Sequence, residues 1–135
     1  MKKMYSGLFL TKESEELLRK RGKMLIKKVK NLHVTFHFGA FEPFPENMLN
    51  KVFTCKVIGE GKSKKNHGYL VELPRELNEF HNVTKKKCIT VSLGSGGKSM
   101  YTSELDFKPI QPFTIEGTLG YYTNEGTVVF ENTLS

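Results

Sequence analysis

The stretch LHVTFHFG, residues 32–39, has a worn second copy in KCITVSLG, residues 87–94. Superposed, the two share Thr35 with Thr90 and Gly39 with Gly94, while Val34 and Phe38 fall on Ile89 and Leu93. His33 falls on Cys88. Both copies alternate apolar and polar residues, and a strand turns successive side chains to opposite faces. Val34, Phe36 and Phe38 are thus expected to face a core, with His33, Thr35 and His37 on the other side. In the second copy Ile89, Val91 and Leu93 oppose Cys88, Thr90 and Ser92. Two such strands side by side line a pocket with small polar groups and imidazoles.

Outward from this pair, the remaining chain reads as short strands with one or two helices. MYSGLFL is a first strand, rich in β-favouring residues. Thr11 then caps a helix over KESEELLRKRGK, acidic early and basic late as the helix dipole prefers, with Leu17 and Leu18 as its apolar face and Gly22 as its end. FEPFPEN, with two prolines, is a loop. VFTCKVIGEG and HGYLVELP pair around the basic turn KSKK, and RELNEF forms a short helix. The second motif strand leads into the Gly-rich loop GSGGKS, and FTIEGTLGYYTNEGTVVFE folds as a hairpin in which Gly126 supplies the turn. With no linker or low-complexity segment, residues 1–135 are expected to form a single α+β domain with a mainly antiparallel sheet.

Composition narrows the chemistry. The 135 residues are 38% apolar and 26% charged, ordinary for a globular chain large enough to bury a core. No apolar run reaches the roughly 18 residues of a membrane span. The first residues lack the apolar stretch of a signal peptide, so a cytoplasmic protein is expected. Cys55 and Cys88 are too few for a disulfide framework or a zinc site, and two reduced thiols are expected. No metal and no cofactor is called for. The net charge of +7 points to phosphate-bearing partners. The lysines gather in KMLIKKVK, KSKK and KKK without regularly interleaved aromatics, so a small anionic ligand suits them as well as a long nucleic acid.

Imidazole passes protons near neutral pH, and a threonine hydroxyl donates to phosphate oxygens. One His-x-Thr on a strand is weak evidence; its repetition strengthens it. Near the second motif, the glycines of GSGGKS let backbone N–H groups approach a phosphate, with Lys98 and Ser99 assisting, although the spacing is not that of a P-loop. Tyr101, Tyr121 and Tyr122 can stack on a base, though a strand tyrosine more often packs. His67 is expected on a surface turn, or as another proton-transfer group if its strand lines the pocket, and His81 is expected in a loop.

The two strands resemble the paired H-x-T/S motifs of the 2H phosphoesterase superfamily. The chain looks closest to a bacterial and phage branch of RNA-repair-like members, through YSGLFLTKESEELL, LHVTFHFG, CITVSLGSGGKSMYTSEL and KPIQPFTIEGTLG. That resemblance implies two similar α+β lobes whose sheets meet at a cleft, each lobe contributing one motif strand. It implies a metal-free, in-line attack on a phosphodiester, with one histidine as general base, the other as general acid, and the hydroxyls holding the non-bridging oxygens. By position, His33 is a proton-transfer group, Thr35 and Thr90 are the phosphate-holding hydroxyls, and Cys88 stands where the second histidine belongs.

An ordinary thiol has a pKa near 8.5 and is a feeble base at pH 7. Losing one proton-transfer partner costs about 10²–10⁴ in rate. His37 is a possible substitute, about 13 Å along the strand from His33 at roughly 3.3 Å per residue. The ligand-binding set expected from the resemblance is His33, Thr35, His37, Cys88, Thr90, Ser92, Lys98 and Tyr101.

Three functions follow as expectations. The first is a protein that captures a small nucleotide, such as a cyclic oligonucleotide or an ADP-ribose-like immune signal, with cleavage weakened or lost; the family's viral members fit a phage protein countering host defence. The second is a working phosphodiesterase acting on cyclic nucleotides or 2′,3′-cyclic-phosphate RNA ends. The third is an RNA-end-binding protein. An oligomer that completes the site is compatible with all three.

Overall fold

The computed structural model describes residues 3–21, 24–38, 44–78 and 86–131, with the backbone alone at 37 and 38. His81, Gly22, Gly39 and the first part of FEPFPEN lie outside the described residues. In chain order the elements are β1 (Lys3–Leu10), α1 (Lys12–Lys20), β2 (Lys27–Lys28), β3 (His33–Phe38), β4 (Val52–Lys62), β5 (Asn66–Glu72), α2 (Arg75–Asn78), β6 (Cys88–Leu93), a 3-10 helix (Ser99–Glu104), β7 (Lys108–Thr123) and β8 (Val128–Val129). The architecture is α+β, dominated by one antiparallel sheet in the order β2-β6-β5-β4-β7-β1-β3, with β8 paired to β7.

Alternation builds the sheet. Along β4, Phe53, Cys55 and Val57 turn inward while Val52, Thr54 and Lys56 face out. β7 carries Pro109 and Pro112, which remove ladder donors. Both sit at its start, and Pro112 lies in a register irregularity between Val57 and Gly59 of β4. The β7–β8 hairpin turns at Gly126, whose φ of 79° only glycine adopts without strain.

The sheet curls until its ends meet. β2 pairs with β6 and β3 with β1, yet only residues 29–32 separate β2 from β3. One short segment therefore spans both ends of the sheet. Its Val29 N–H donates to the Val91 carbonyl (3.1 Å), and its Leu32 carbonyl accepts from Leu10 (2.9 Å). Asn31, at φ 51°, makes the kink between them. As a result β3 lies beside β6 although six hydrogen-bonded steps of the sheet order separate β2 from β3. Inside the curl Leu8, Val34, Phe36, Val57, Tyr69, Ile89, Val91, Leu119 and Tyr121 are fully buried. Exposed sheet edges are templates for aggregation, and this closure covers two of them.

α1 fastens the seam. Thr11 caps it by accepting from the Ser14 N–H (3.3 Å), and acidic and basic residues occupy the expected ends. The helix stops at Lys20, three residues short of the sequence expectation, and of its two leucines only Leu18 is buried. Leu17 is 45% exposed. Glu15 accepts from the Leu32 N–H (3.2 Å), and Arg19 donates both to Glu15 (3.2 Å) and to the Val29 carbonyl (2.5 Å). The helix thus holds the segment that joins β2 to β3 and hydrogen-bonds to β6 through Val29.

Candidate functional site

The first motif lies on the outer face of the sheet. In antiparallel pairs, residues directly opposite share a face. His33 is opposite Phe9, Thr35 opposite Gly7, and Tyr5 opposite Tyr122, whereas Val34 pairs with Leu8 toward the core. The His33 ring stacks on Tyr5 at 4.8 Å and leans on Phe9 at 5.4 Å; Tyr5 in turn stacks on Tyr122 at 4.9 Å. The result is a half-buried aromatic platform with Thr35 beside it.

The His33 Nδ1 lies 2.7 Å from the Asn31 carbonyl. A carbonyl only accepts, so Nδ1 carries the proton and Nε2 presents its lone pair. Burial holds the His33 pKa below its ordinary value, and the Asn31 hydrogen bond only partly offsets this. At neutral pH the ring is therefore a neutral base with no proton to give from Nε2. Burial and the neighbouring Tyr122 push the Tyr5 hydroxyl pKa well up, so it stays protonated.

A pH dependence follows. Between its lowered folded pKa and the ordinary 6.5, His33 binds more protons unfolded than folded, so stability falls as pH drops through that window. In urea titrations at pH 7.5 and 5.0, His33→Gln is expected to lose less stability on acidification than the native chain. An equal loss in both would mean that His33 does not carry the effect.

The second motif is used differently. Cys88 is half-buried opposite Leu70, and Thr90 is opposite Gly68, both on the face away from buried Ile89. The Thr90 hydroxyl is engaged by the 3-10 helix, 2.7 Å from Thr102 Oγ1 and 3.3 Å from the Ser99 carbonyl. Thr102 is itself fully buried and accepts from Asn66 Nδ2 (2.9 Å). A hydroxyl held in this way serves packing before it serves a phosphate.

In the ladders of the two motif strands, register shifts at two places. β6 and β5 shift register between His67 and Gly68, leaving Val91 without a direct partner and Ser92 opposite His67. Ser92 is fully buried and accepts from the Leu25 N–H (3.0 Å). It does not extend the outward row of Cys88 and Thr90. The β1–β3 ladder shifts likewise between Ser6 and Gly7, placing His37 opposite Ser6.

His67 corrects another expectation. It is 1% exposed, not a surface turn residue, and its Nε2 lies 2.8 Å from Glu60. Register pairs it with interior Ser92, which is why the strand buries it. Beside it, burial and then Glu60 push the Tyr69 hydroxyl up to about 12.

GSGGKS is also built for packing. The Gly94 N–H donates to the Lys65 carbonyl (2.8 Å) and the Gly97 N–H to the Gly94 carbonyl (3.0 Å). A Cβ on Gly94 or Gly97 would sit 2.0 or 2.1 Å from the carbonyl oxygens of Lys64 and Lys65, so the glycines let this loop lie against the KSKK turn. Lys98 and Tyr101 stand there, with the 3-10 helix, and not in the Tyr5–His33 stack. Among the described residues no group of three or more His, Cys, Asp or Glu side chains converges as a metal-ligating set. None of the described helices is long and apolar enough to cross a membrane.

Tyr5, Phe9 and Asn31 went unread as site residues, and Tyr122 was read only as a ring that can stack on a base. The spacing Tyr5–Gly7–Phe9 carried the signal, since a period of two puts both rings on one face of β1. None of the family models and none of the curated proteins compared with the chain matches it.

Proposed function

We propose that the protein binds a small phosphodiester, a nucleotide or cyclic oligonucleotide, at the seam between β3 and β6, and holds it without cutting it. One observation carries this reading: the two repeated strands lie beside each other, one with a neutral base and a hydroxyl, the other with a thiol and a committed hydroxyl. In-line cleavage needs a base on one side of phosphorus and an acid on the other. His33 suits the base. Cys88, in the second position, is a poor acid–base partner at neutral pH.

Binding asks for less. A base stacked on an aromatic ring contributes about 1–3 kcal/mol, and Tyr5, His33 and Tyr122 form such a surface. Thr35 adds a hydroxyl beside it, and the net charge of +7 draws anions. The juxtaposed repeats are also what a 2H-like pair of lobes around a cleft requires, and the resemblance of the motif flanks supports that identity. On this reading the ligand is a cyclic oligonucleotide or ADP-ribose-like signal, and the biological setting is sequestration of a messenger in the cytoplasm.

The test is capture and release. The protein is incubated with cyclic di- and trinucleotides, ADP-ribose derivatives and a 2′,3′-cyclic-phosphate RNA, then removed by filtration. A ligand depleted from the filtrate and returned intact on boiling is the expected result. A linear or shortened product would instead establish a working phosphodiesterase, and retention of long RNA alone with a steep salt dependence would establish an RNA-end binder.

A further inference from the structure

A hollow of about 340 Å³ lies at the other end of β5, lined by Ser63, Lys65, Asn66, Tyr101, Glu104 and Leu105. Its size is that of a small-ligand site. Asn66 is the unusual member. It is 1% exposed, and both hydrogen bonds of its amide nitrogen are spent, on the Lys98 carbonyl (2.8 Å) and Thr102 Oγ1 (2.9 Å). The carbonyl fixes which end of the amide is nitrogen. The amide oxygen is left buried without a partner among the described residues, at a cost of about 1–3 kcal/mol for such a group. Glu104, also lining the hollow, is exposed and has neither a hydrogen bond nor an ion pair among the described residues.

Charge converges on the same end. Lys64 and Lys65 lie against Gly94–Gly97, Lys98 follows that loop, and Lys27 and Lys28 pair with the adjoining end of β6. Two of the three lysine runs in the sequence thus meet here, while Lys86 and Lys87 lie toward the opposite end of β6. Tyr101, 36% exposed, offers a ring at the rim.

We infer that this hollow is a second ligand site, selective for a guanine nucleotide and separate from the seam. The hydrogen-bonding inventory selects the base. The exposed Glu104 carboxylate offers the hollow only acceptors, so the edge it recognises must donate. Guanine presents two adjacent donors, N1–H and the 2-amino group. Adenine and cytosine place an acceptor next to their amino group, and uracil flanks its single N–H with carbonyls. Tyr101 stacks on the ring, and the lysines receive the phosphate. The site does not rest on the seam reading, because none of its lining residues belongs to the Tyr5–His33 platform.

Titration calorimetry of the full chain with GMP, AMP, CMP, UMP and inorganic phosphate tests it. GMP is expected to bind at least tenfold tighter than AMP. Glu104→Gln and Tyr101→Ala, both at exposed positions, are each expected to weaken GMP about tenfold with unchanged thermal unfolding. The inference is overturned if GMP does not bind at millimolar concentration, or if all four nucleotides and phosphate bind alike. It is equally overturned if His33→Ala abolishes GMP binding while Tyr101→Ala does not, since the nucleotide then sits at the seam.

Discussion

Replacing Tyr121 with alanine is expected to remove about 4–8 kcal/mol of stability, enough to leave a marginally stable domain largely unfolded. Tyr121 is fully buried in the middle of the curled sheet, opposite Ser6 on β1 and Val129 on β8. Its ring stacks on Phe44 at 5.7 Å, and its hydroxyl accepts the Phe44 N–H at 3.0 Å. Deleting a buried aromatic ring costs about 3–5 kcal/mol in lost transfer energy and residual cavity. The Phe44 N–H, deep beside it, then loses its acceptor and adds about 1–3 kcal/mol. Tyr121→Phe separates the two contributions, since it keeps the ring and removes only the acceptor. Urea unfolding is expected to show a loss of about 1–3 kcal/mol for phenylalanine and at least twice that for alanine. Equal losses in the two variants would place the energy in the hydrogen bond; a loss under about 1 kcal/mol for alanine would mean that the ring does not anchor the sheet.

Local signals in this chain were legible and long-range registers were not. Thr11 announced a helix start, and TNEG announced a hairpin, because both are decided within about four residues. VFTCKVIGEG and HGYLVELP showed their pairing through the turn between them. The two motif strands were legible as strands, β3 and β6. What the alternation could not reveal was where it breaks. The shifts beside Gly68 and Gly7 depend on a neighbouring strand many residues away, and the first of them moved Ser92 inward. β2, only two residues long, is a strand because β6 is beside it, not because Lys27 and Lys28 favour extended backbone. His67 was misplaced for the same reason: its burial is a property of the sheet's curl. The fold class was therefore readable at the level of elements, and the face that His33 and Thr35 share was readable from the alternation of β3.

The decisive pair of variants at the seam is His33→Ala and Cys88→His. If the seam captures a nucleotide as proposed, His33 contributes both a face of the aromatic platform and the unprotonated Nε2, so its loss is expected to weaken that capture about 100-fold, some 2.7 kcal/mol. Thr35→Val, which removes one hydroxyl, is expected to cost about tenfold. Cys88→His asks the opposite question. It returns an imidazole to the strand beside His33, so that one ring is available to take a proton and the other to give one. If the thiol replaced an acid, this variant acquires slow hydrolysis of the captured ligand, visible as linear product after overnight incubation. Even then the rate stays low, because Thr90 is still held by Thr102 and Ser99 and steadies the charge on phosphorus poorly. Adding Thr102→Val releases that hydroxyl and is expected to raise the rate further, about tenfold. Intact capture with no product from either variant would show that the two strands do not flank a phosphorus atom, and that Cys88 occupies an ordinary strand position and not that of a lost histidine.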